Sequence, residues 1–403
     1  MMIVLKKRNL AILLIIALCS GLIFMAAGNQ VYGIVTDRIG LSAAEYEDYQ
    51  RIKKNYGQLD ELQQLIEQKY YIPVDGSKLY EGLYKGLFAG IGDPYSSYLT
   101  KQEYEDLMIA TSGEYEGIGV TIAPDKQGYI TVVAPIDDTP AFKAGIKPED
   151  KIIAVDGVEY NGESIDAAAS AMRGEGGTTV KIKILRGEDS KELEIIRAKI
   201  TMNTVKGEMI NDSIGYIRIS SFEKRTADDF SEALRNMEIG GAKGLIIDLR
   251  DNPGGLVDVS VEIADTLLPE AVITYTEDRK GNKNYYKSDG AATSIPYVLL
   301  INGGSASASE IVAGAVKSNE AGKIVGTTSY GKGIIQEIVQ LSSGDATKLT
   351  VMQYFAPHGE QIHEKGVEPD YVVELKDEDF TDGILLKEND RQLQKAMELL
   401  TNQ

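Results

Sequence analysis

Few residues of this 403-residue chain could do covalent chemistry, and they cluster late in it. The two histidines, His358 and His363, both fall in the turn-rich loop Pro357-His358-Gly359-Glu360-Gln361-Ile362-His363, where each reads as a surface loop residue. A Ser-His triad therefore has little to work with. No H-E-x-x-H occurs, so a zinc peptidase has no support, and the single cysteine, Cys19, excludes an intrachain disulfide or a cysteine metal site. What is left is a run of serines and, a little further on, a lysine between glycines. Asn302-Gly303-Gly304-Ser305-Ala306-Ser307-Ala308-Ser309-Glu310 joins an apolar strand pattern ending at Ile301 to a helix pattern starting near Ala308. A serine at such a turn has an exposed hydroxyl, and the N–H after it points where an oxyanion would form. Ser307-x-x-Glu310 is also the spacing of a capping box, which would make Ser307 an N-cap and nothing more. The G-x-S-x-G of an ordinary hydrolase elbow is absent.

The lysine lies in Gly326-Thr327-Thr328-Ser329-Tyr330-Gly331-Lys332-Gly333-Ile334-Ile335-Gln336. Two familiar patterns are imitated here and fail. Gly326-x-x-x-x-Gly331-Lys332 looks like a phosphate loop, but Gly333 stands where Ser or Thr would hold magnesium. Ser329-x-x-Lys332 has the spacing of penicillin-binding enzymes, yet that motif needs a helical turn, which glycines on both sides of Lys332 oppose, and the chain has no K-T-G partner. A dyad of Ser307 with Lys332 is the other possibility. Lysine is a poor base while charged, so the dyad needs a dry pocket that lowers its pKa, and flanking glycines would let the backbone close in on the stem. Gln336, four residues on, could orient the amine.

Asn302 to Glu310 followed by Gly331-Lys332-Gly333-x-x-Gln336 resembles the carboxyl-terminal processing, or tail-specific, serine proteases (peptidase S41 type with a PDZ domain). In that family the middle serine of S-A-S-A-S is the nucleophile, which is Ser307 here. Lys332 follows 25 positions later and Gln336 four after that, both at the family spacings. Asp248-Leu249-Arg250-Asp251-Asn252-Pro253-Gly254-Gly255 matches a D-L-R-x-N-x-G-G segment that is otherwise a plain turn. The resemblance implies that Gly254 or Gly255 joins the Ala308 N–H in the oxyanion hole. It extends to Gly92-Asp93-Pro94-Tyr95-Ser96 and to Gly359-x-x-Ile362-x-x-x-Gly366-Val367-x-Pro369-Asp370. Arg173, ahead of Gly174-x-x-Gly177-Thr178, resembles a family arginine that links the PDZ domain to the active site.

These residues need elements to hold them. Residues 42–110 read as a helical region: Leu59, Leu62, Leu65 and Ile66 form one apolar stripe between Ala43 and Tyr70, and a second helix pattern runs from Leu79 to Ile91. From Gly113 to residue 198 short strands alternate with glycine turns, in an order that resembles a PDZ domain. That likeness implies that Gly117, Ile118, Gly119 and Val120 receive a peptide carboxylate while the peptide adds to the sheet edge. From 200 to 375 apolar strands at Ile214 to Ile219, Leu245 to Leu249 and Val298 to Ile301 alternate with helix patterns at Thr226 to Met237 and Glu310 to Val316, with a hairpin insert near Lys280 to Lys287. This is α/β layering, and the resemblance implies a crotonase-like protease core. Residues 376–403 read as a helical tail.

The N-terminus reads as an export signal or anchor (residues 1–28). Leu10 to Ala27 is 18 uncharged residues after Lys6-Lys7-Arg8, about 27 Å as a helix and enough to span a bilayer core with the basic flank inside. Ala26-Ala27-Gly28 offers a cleavage site as the competing reading, and Leu18 argues against lipidation at Cys19. Net charge is −19, and setting aside the three basic flank residues leaves 39 basic against 61 acidic residues. Such a body has no electrostatic pull toward nucleic acid. With 43% apolar and 26% charged residues the composition is that of ordinary globular domains. The expectation is a membrane-held or secreted serine endopeptidase acting outside the cytoplasm on proteins with exposed apolar C-termini. No metal or organic cofactor is implied, and its helices could support a homodimer. The rivals are a PDZ adaptor with an inert protease core and, from the crotonase likeness, acyl-CoA chemistry.

Overall fold

The structure is a computed structural model that describes residues 7–35, 42–381 and 384–401. The chain divides after Leu83. In the first unit the apolar run lies within helix α1 (Lys7–Val35). Among the described residues no helix is long and apolar enough to cross a membrane. Helix α2 (Ala43–Lys69) starts at a capping box, where Ser42 Oγ accepts from Glu45 N–H and the Glu45 carboxylate accepts from Ser42 N–H. It buries no residue, and its stripe Leu59, Leu62, Leu65 and Ile66 is exposed. Helix α3 (Gly76–Ala89) runs through the division, and the Gly92-Asp93-Pro94 turn follows it.

In the second unit, helix α4 (Lys101–Ser112) is boxed by Thr100 and Glu103 and stops at Gly113, whose φ of 70° is the left-handed stop that glycine permits. A two-stranded ribbon, Glu114–Gly117 against Ala198–Thr201, then carries an inserted sheet. That sheet runs in the order Val120–Pro124, Ile130–Pro135, Lys151–Val155, Thr179–Arg186, Asp189–Ile196, every neighbour antiparallel. Alternation decides its faces: Val180, Ile182 and Ile184 are wholly buried, while Lys181 and Lys183 are exposed. Two helices close it, α5 (Pro140–Lys143) and α6 (Ile165–Met172).

The rest builds on a six-stranded sheet ordered Val205–Met209, Ile214–Ile219, Gly244–Asp248, Tyr297–Ile301, Lys323–Gly326, Tyr371–Val372. All but the first pairing are parallel. Both faces are covered, so the middle strands are largely apolar, and Tyr297–Ile301 is so throughout. Leu245, Ile247, Leu299 and Ile301 pack with α7 (Thr226–Ile239), α8 (Val257–Leu267) and α9 (Ala308–Ser318), while Ile246, Val298 and Leu300 face α10 (Arg391–Thr401). Each such buried side chain contributes roughly 1.5–3 kcal/mol relative to exposure. The C-terminal helix is thus no tail: Leu393 and Ala396 complete a core face. A second sheet, built on the long strand Ala346–Phe355, packs against α9 through its strand Val272–Asp278.

Candidate active site

Three neighbouring parallel strands end on the same side of the sheet, and each releases one of the loops singled out by sequence. Gly244–Asp248 leads to Asn252-Pro253-Gly254-Gly255, Tyr297–Ile301 to Ser307, and Lys323–Gly326 to Lys332. Carboxyl ends of parallel strands are where α/β sheets place their sites, because the loops there converge.

The loop carrying Ser307 is cross-braced. Ser305 Oγ donates to Leu249 O at 2.7 Å, Ala306 N–H to Asn252 O at 3.0 Å and Ser309 Oγ to the same oxygen at 2.9 Å. Ser307 sits at φ 53°, ψ −113°, a conformation few non-glycine residues adopt, and it directly precedes α9. The surrounding bonds hold it there. The capping-box reading is half present: Glu310 reaches back to the Ser307 N–H at 2.9 Å, while the Ser307 hydroxyl makes no capping bond. Gly254 packs so close that a Cβ on it would stand 2.7 Å from Ser307 Cβ and 3.0 Å from Ala308 N, at a φ of 105°. Its N–H donates to Asn252 Oδ1 at 2.9 Å. Among the described residues, no bond from the Ala308 N–H or the Gly255 N–H accompanies that of Gly254.

Lys332 is half-buried, with Nζ 4.9 Å from the centre of the Tyr95 ring. Burial, with the Lys348 charge nearby, holds its ammonium below the usual lysine range, against the opposing pull of Asp93 and Glu310. Asp93 is itself held below the usual carboxylate range: burial would raise it, but bonds from Ser96, Thr350 and the Tyr95 N–H prevail. Tyr95 is pushed up to about 12, first by its hydrogen bond with Tyr330 and then by burial. Ser307 Oγ and Lys332 Nζ are not hydrogen-bonded to each other. Catalytic contacts are commonly loose before substrate arrives. The Gln336 amide donates to Thr350 Oγ1 at 3.4 Å rather than to Lys332. His358 is exposed, and His363 lies against Gly333, where a Cβ would meet its backbone nitrogen at 2.4 Å.

One residue whose role sequence reasoning passed over belongs to this site. Asn252, wholly buried, donates to Ile219 O at 2.9 Å while its own oxygens receive Gly254, Ala306 and Ser309. The asparagine of what looked like a plain turn gave the one available signal. Asp248 and Arg250 of the same segment are structural: Arg250 bonds Asp248 at 2.6 Å and Asp390 at 2.8 Å, tying the loop to the start of α10.

Of the predicted peptide-binding residues, Ile118, Gly119 and Val120 line a groove of about 340 Å³, and Gly117 does not; it runs from Ile118 to Ile122 on one side and past Ala169, Met172 and Arg173 on the other. Gly119 has no room for a side chain, since a Cβ would stand 2.4 Å from Thr139. Asp106, Ile109 and Ala110 of α4 line the groove too, and Arg173 makes an ion pair with Asp106.

Residues 213–373 match the family described as Peptidase family S41, residues 117–196 a PDZ domain, and residues 18–103 the activating protease CtpB N-terminal domain. The chain is 38% identical to a carboxyl-terminal-processing protease of Synechocystis over 323 residues, spanning 78% of this chain and 75% of that one. It is 34% identical to the carboxy-terminal processing protease CtpB of Bacillus subtilis over 383 residues, spanning 90% and 80%. A solved structure of a putative S41 protease from Bacteroides fragilis shares the fold at 15% identity and a TM-score of 0.51, covering 84% of this chain and 96% of that one.

Proposed function

The chain belongs to peptidase family S41, among the carboxyl-terminal processing proteases, and we propose that it is an exported serine endopeptidase that seizes protein C-termini in its PDZ groove and cleaves them with Ser307 and Lys332. The observation that carries this reading is the pairing of a serine at a positive-φ turn with a half-buried lysine of lowered pKa on the adjacent strand's loop. Ser307 Oγ attacks the scissile carbonyl as its proton passes to neutral Lys332 Nζ. The Ala308 N–H, with Gly255 or a turned Gly254, takes the oxyanion. Lys332 then gives the proton to the departing amine, and a water activated by the same amine releases the acyl group. Gln336, now on Thr350, would swing to Lys332 as the site closes.

The apolar edge of the groove, Ile118, Val120 and Ile122, suits an apolar tail, the amides of Gly117 to Val120 suit its carboxylate, and Arg173, whose backbone lies beside Gly117, would add a positive charge to that site and relay its filling. Asp106 occupies that arginine in the free protein, so an arriving tail has a carboxylate to displace. Leu10 to Ala27 would hold the enzyme at a membrane with the acidic body outside.

The test uses the chain from residue 29 and an unstructured polypeptide ending in apolar residues. Ser307→Ala and Lys332→Ala should each cost at least about 10⁴-fold in kcat while tail binding persists. An active Lys332→Ala protein would overturn the dyad. Tail binding without cleavage by the unaltered chain would favour an adaptor.

A further inference from the structure

Glu310 is wholly buried, and a buried carboxylate must be satisfied by donors. It has four. Oε1 accepts from Ser329 Oγ at 2.5 Å and Gly331 N–H at 2.7 Å, and Oε2 from Ser307 N–H at 2.9 Å and Lys332 N–H at 2.8 Å. One oxygen atom thus bridges the amides of the nucleophile and the base. Tyr354, also wholly buried, comes from the other sheet. Its hydroxyl reaches the carbonyl of Ser307 at 3.0 Å and that of Lys332 at 2.5 Å. The same two side chains therefore meet both polar backbone groups of both residues, with the single Tyr354 proton shared between the two carbonyls.

We infer that Glu310 and Tyr354 are positioning residues, a two-point clamp that fixes the backbone separation of Ser307 and Lys332 for the reaction. The inference rests on the Ser-Lys reading above. A helix cap alone does not explain Glu310, because three of its four donors lie 19 to 22 residues further along the chain. Core filling alone does not explain Tyr354, because a phenylalanine ring would fill the same space without meeting either carbonyl. Further bonds leave the lysine loop little freedom: Tyr354 N–H donates to Gly333 O at 3.0 Å, and Ser329 Oγ accepts from Val367 N–H at 2.7 Å. With both backbones fastened, only the lysine side chain is left to adjust. Misplacement of about 1 Å at such a pair can cost about 100-fold in rate.

Tyr354→Phe separates position from charge, since it removes one hydroxyl and no ionised group. Its kcat on the unstructured polypeptide should fall about 10- to 100-fold with KM unchanged, and fluorophosphonate labelling of Ser307 should slow in parallel. Unfolding temperature should stay within a few degrees, and the alkaline rise in activity should keep its midpoint or move to higher pH as the loosened lysine gains solvent. Glu310→Gln should lose more activity, because an amide can accept at only one of its two positions. Loss of the Glu310 charge alone would instead lower the Lys332 pKa and move the rise to lower pH without lowering its plateau. Tyr354→Phe activity within about twofold of the unaltered enzyme would overturn the clamp, as would a loss wholly matched by the unfolded fraction. Lys332→Ala in parallel separates the two claims: if it is active the dyad fails, and if it is dead while Tyr354→Phe is unimpaired only the clamp fails.

Discussion

The lysine loop and the inserted PDZ domain both meet the rest of the molecule through few residues, but in opposite ways. Residues 329–333 are fastened by bonds with Glu310, Tyr354, Val367 and Ser305, and the side-chain bonds among these are buried or part-buried. The PDZ domain hangs on the ribbon Glu114–Gly117 with Ala198–Thr201 and on a half-exposed ion pair, Arg173 with Asp106. At the ribbon's root Gly113 abuts Glu223, whose Oε2 is buried without a partner and whose carboxyl is pushed up by burial, with only Ser221 opposing. Buried, fully paired groups make discrete and stiff geometry, while exposed pairs contribute about 0–1 kcal/mol and exchange readily. The proposed chemistry is built on a backbone that is fastened, and the proposed recognition on a domain whose contacts can exchange.

Short of removing Ser307 or Lys332 themselves, the hardest blow to the stiff half is Gly254→Ala. Its Cβ would stand 2.7 Å from Ser307 Cβ and 2.8 Å from Ala306 O, at a φ that alanine avoids. Either the turn or Ser307 must shift, and both line the proposed oxyanion site. We expect a loss of about 10²- to 10³-fold in kcat, the scale of one missing oxyanion donor. Tail binding measured by fluorescence anisotropy should be untouched, and a parallel loss of binding would mean that the two halves are not separate.

Titration comes next in size. If neutral Lys332 is the base, as proposed, then because burial lowers its pKa, activity should rise about tenfold per pH unit below that pKa and level off before the usual lysine range. Lys348→Gln removes a charge that opposes protonation, so the rise should move to higher pH and activity at neutral pH should drop a few-fold. A rise unaffected by Lys348→Gln would place the titrating group elsewhere.

The same division governs what could be read from sequence. Local patterns carried the strand-to-helix turn at Ser307, the alternation in Thr179–Arg186 and the unbroken apolar run Tyr297–Ile301, because burial on one face or two writes itself into adjacent residues. The clamp was illegible. Glu310 looked like a capping residue because its cap bond is local and its other bonds join it to residues 329–332. Tyr354 belongs to the strand Ala346–Phe355, whose mixed, partly buried faces give no clean period. Gln336 had the right spacing but sits beside a register shift in its strand, which pairs it with Thr350. Helix α4 was absorbed into a general helical region, and nothing in its composition says that Asp106, Ile109 and Ala110 border the groove.

The smallest effect expected is on the movable half, and it is the most informative about how the halves speak to each other. Asp106→Asn leaves a side chain of the same shape on α4 but removes the charge that Arg173 now faces. Because the pair is partly exposed, its loss is worth at most about 1 kcal/mol, or a fewfold in equilibrium terms. An apolar-ended tail should then bind about two- to fivefold more tightly, and the same tail with an amidated C-terminus should gain nothing, since it brings no carboxylate to Arg173. If the freed arginine only improves capture, KM should fall by that factor with kcat constant. If the Asp106 contact also holds the site in its unbonded state, with Ser307 and Lys332 apart, basal cleavage of short peptides too small to bridge groove and site should rise as well. Equal gains for the free and amidated tails would mean that α4 blocks the groove by bulk alone, and Asp106 would then have no part in reading the carboxylate.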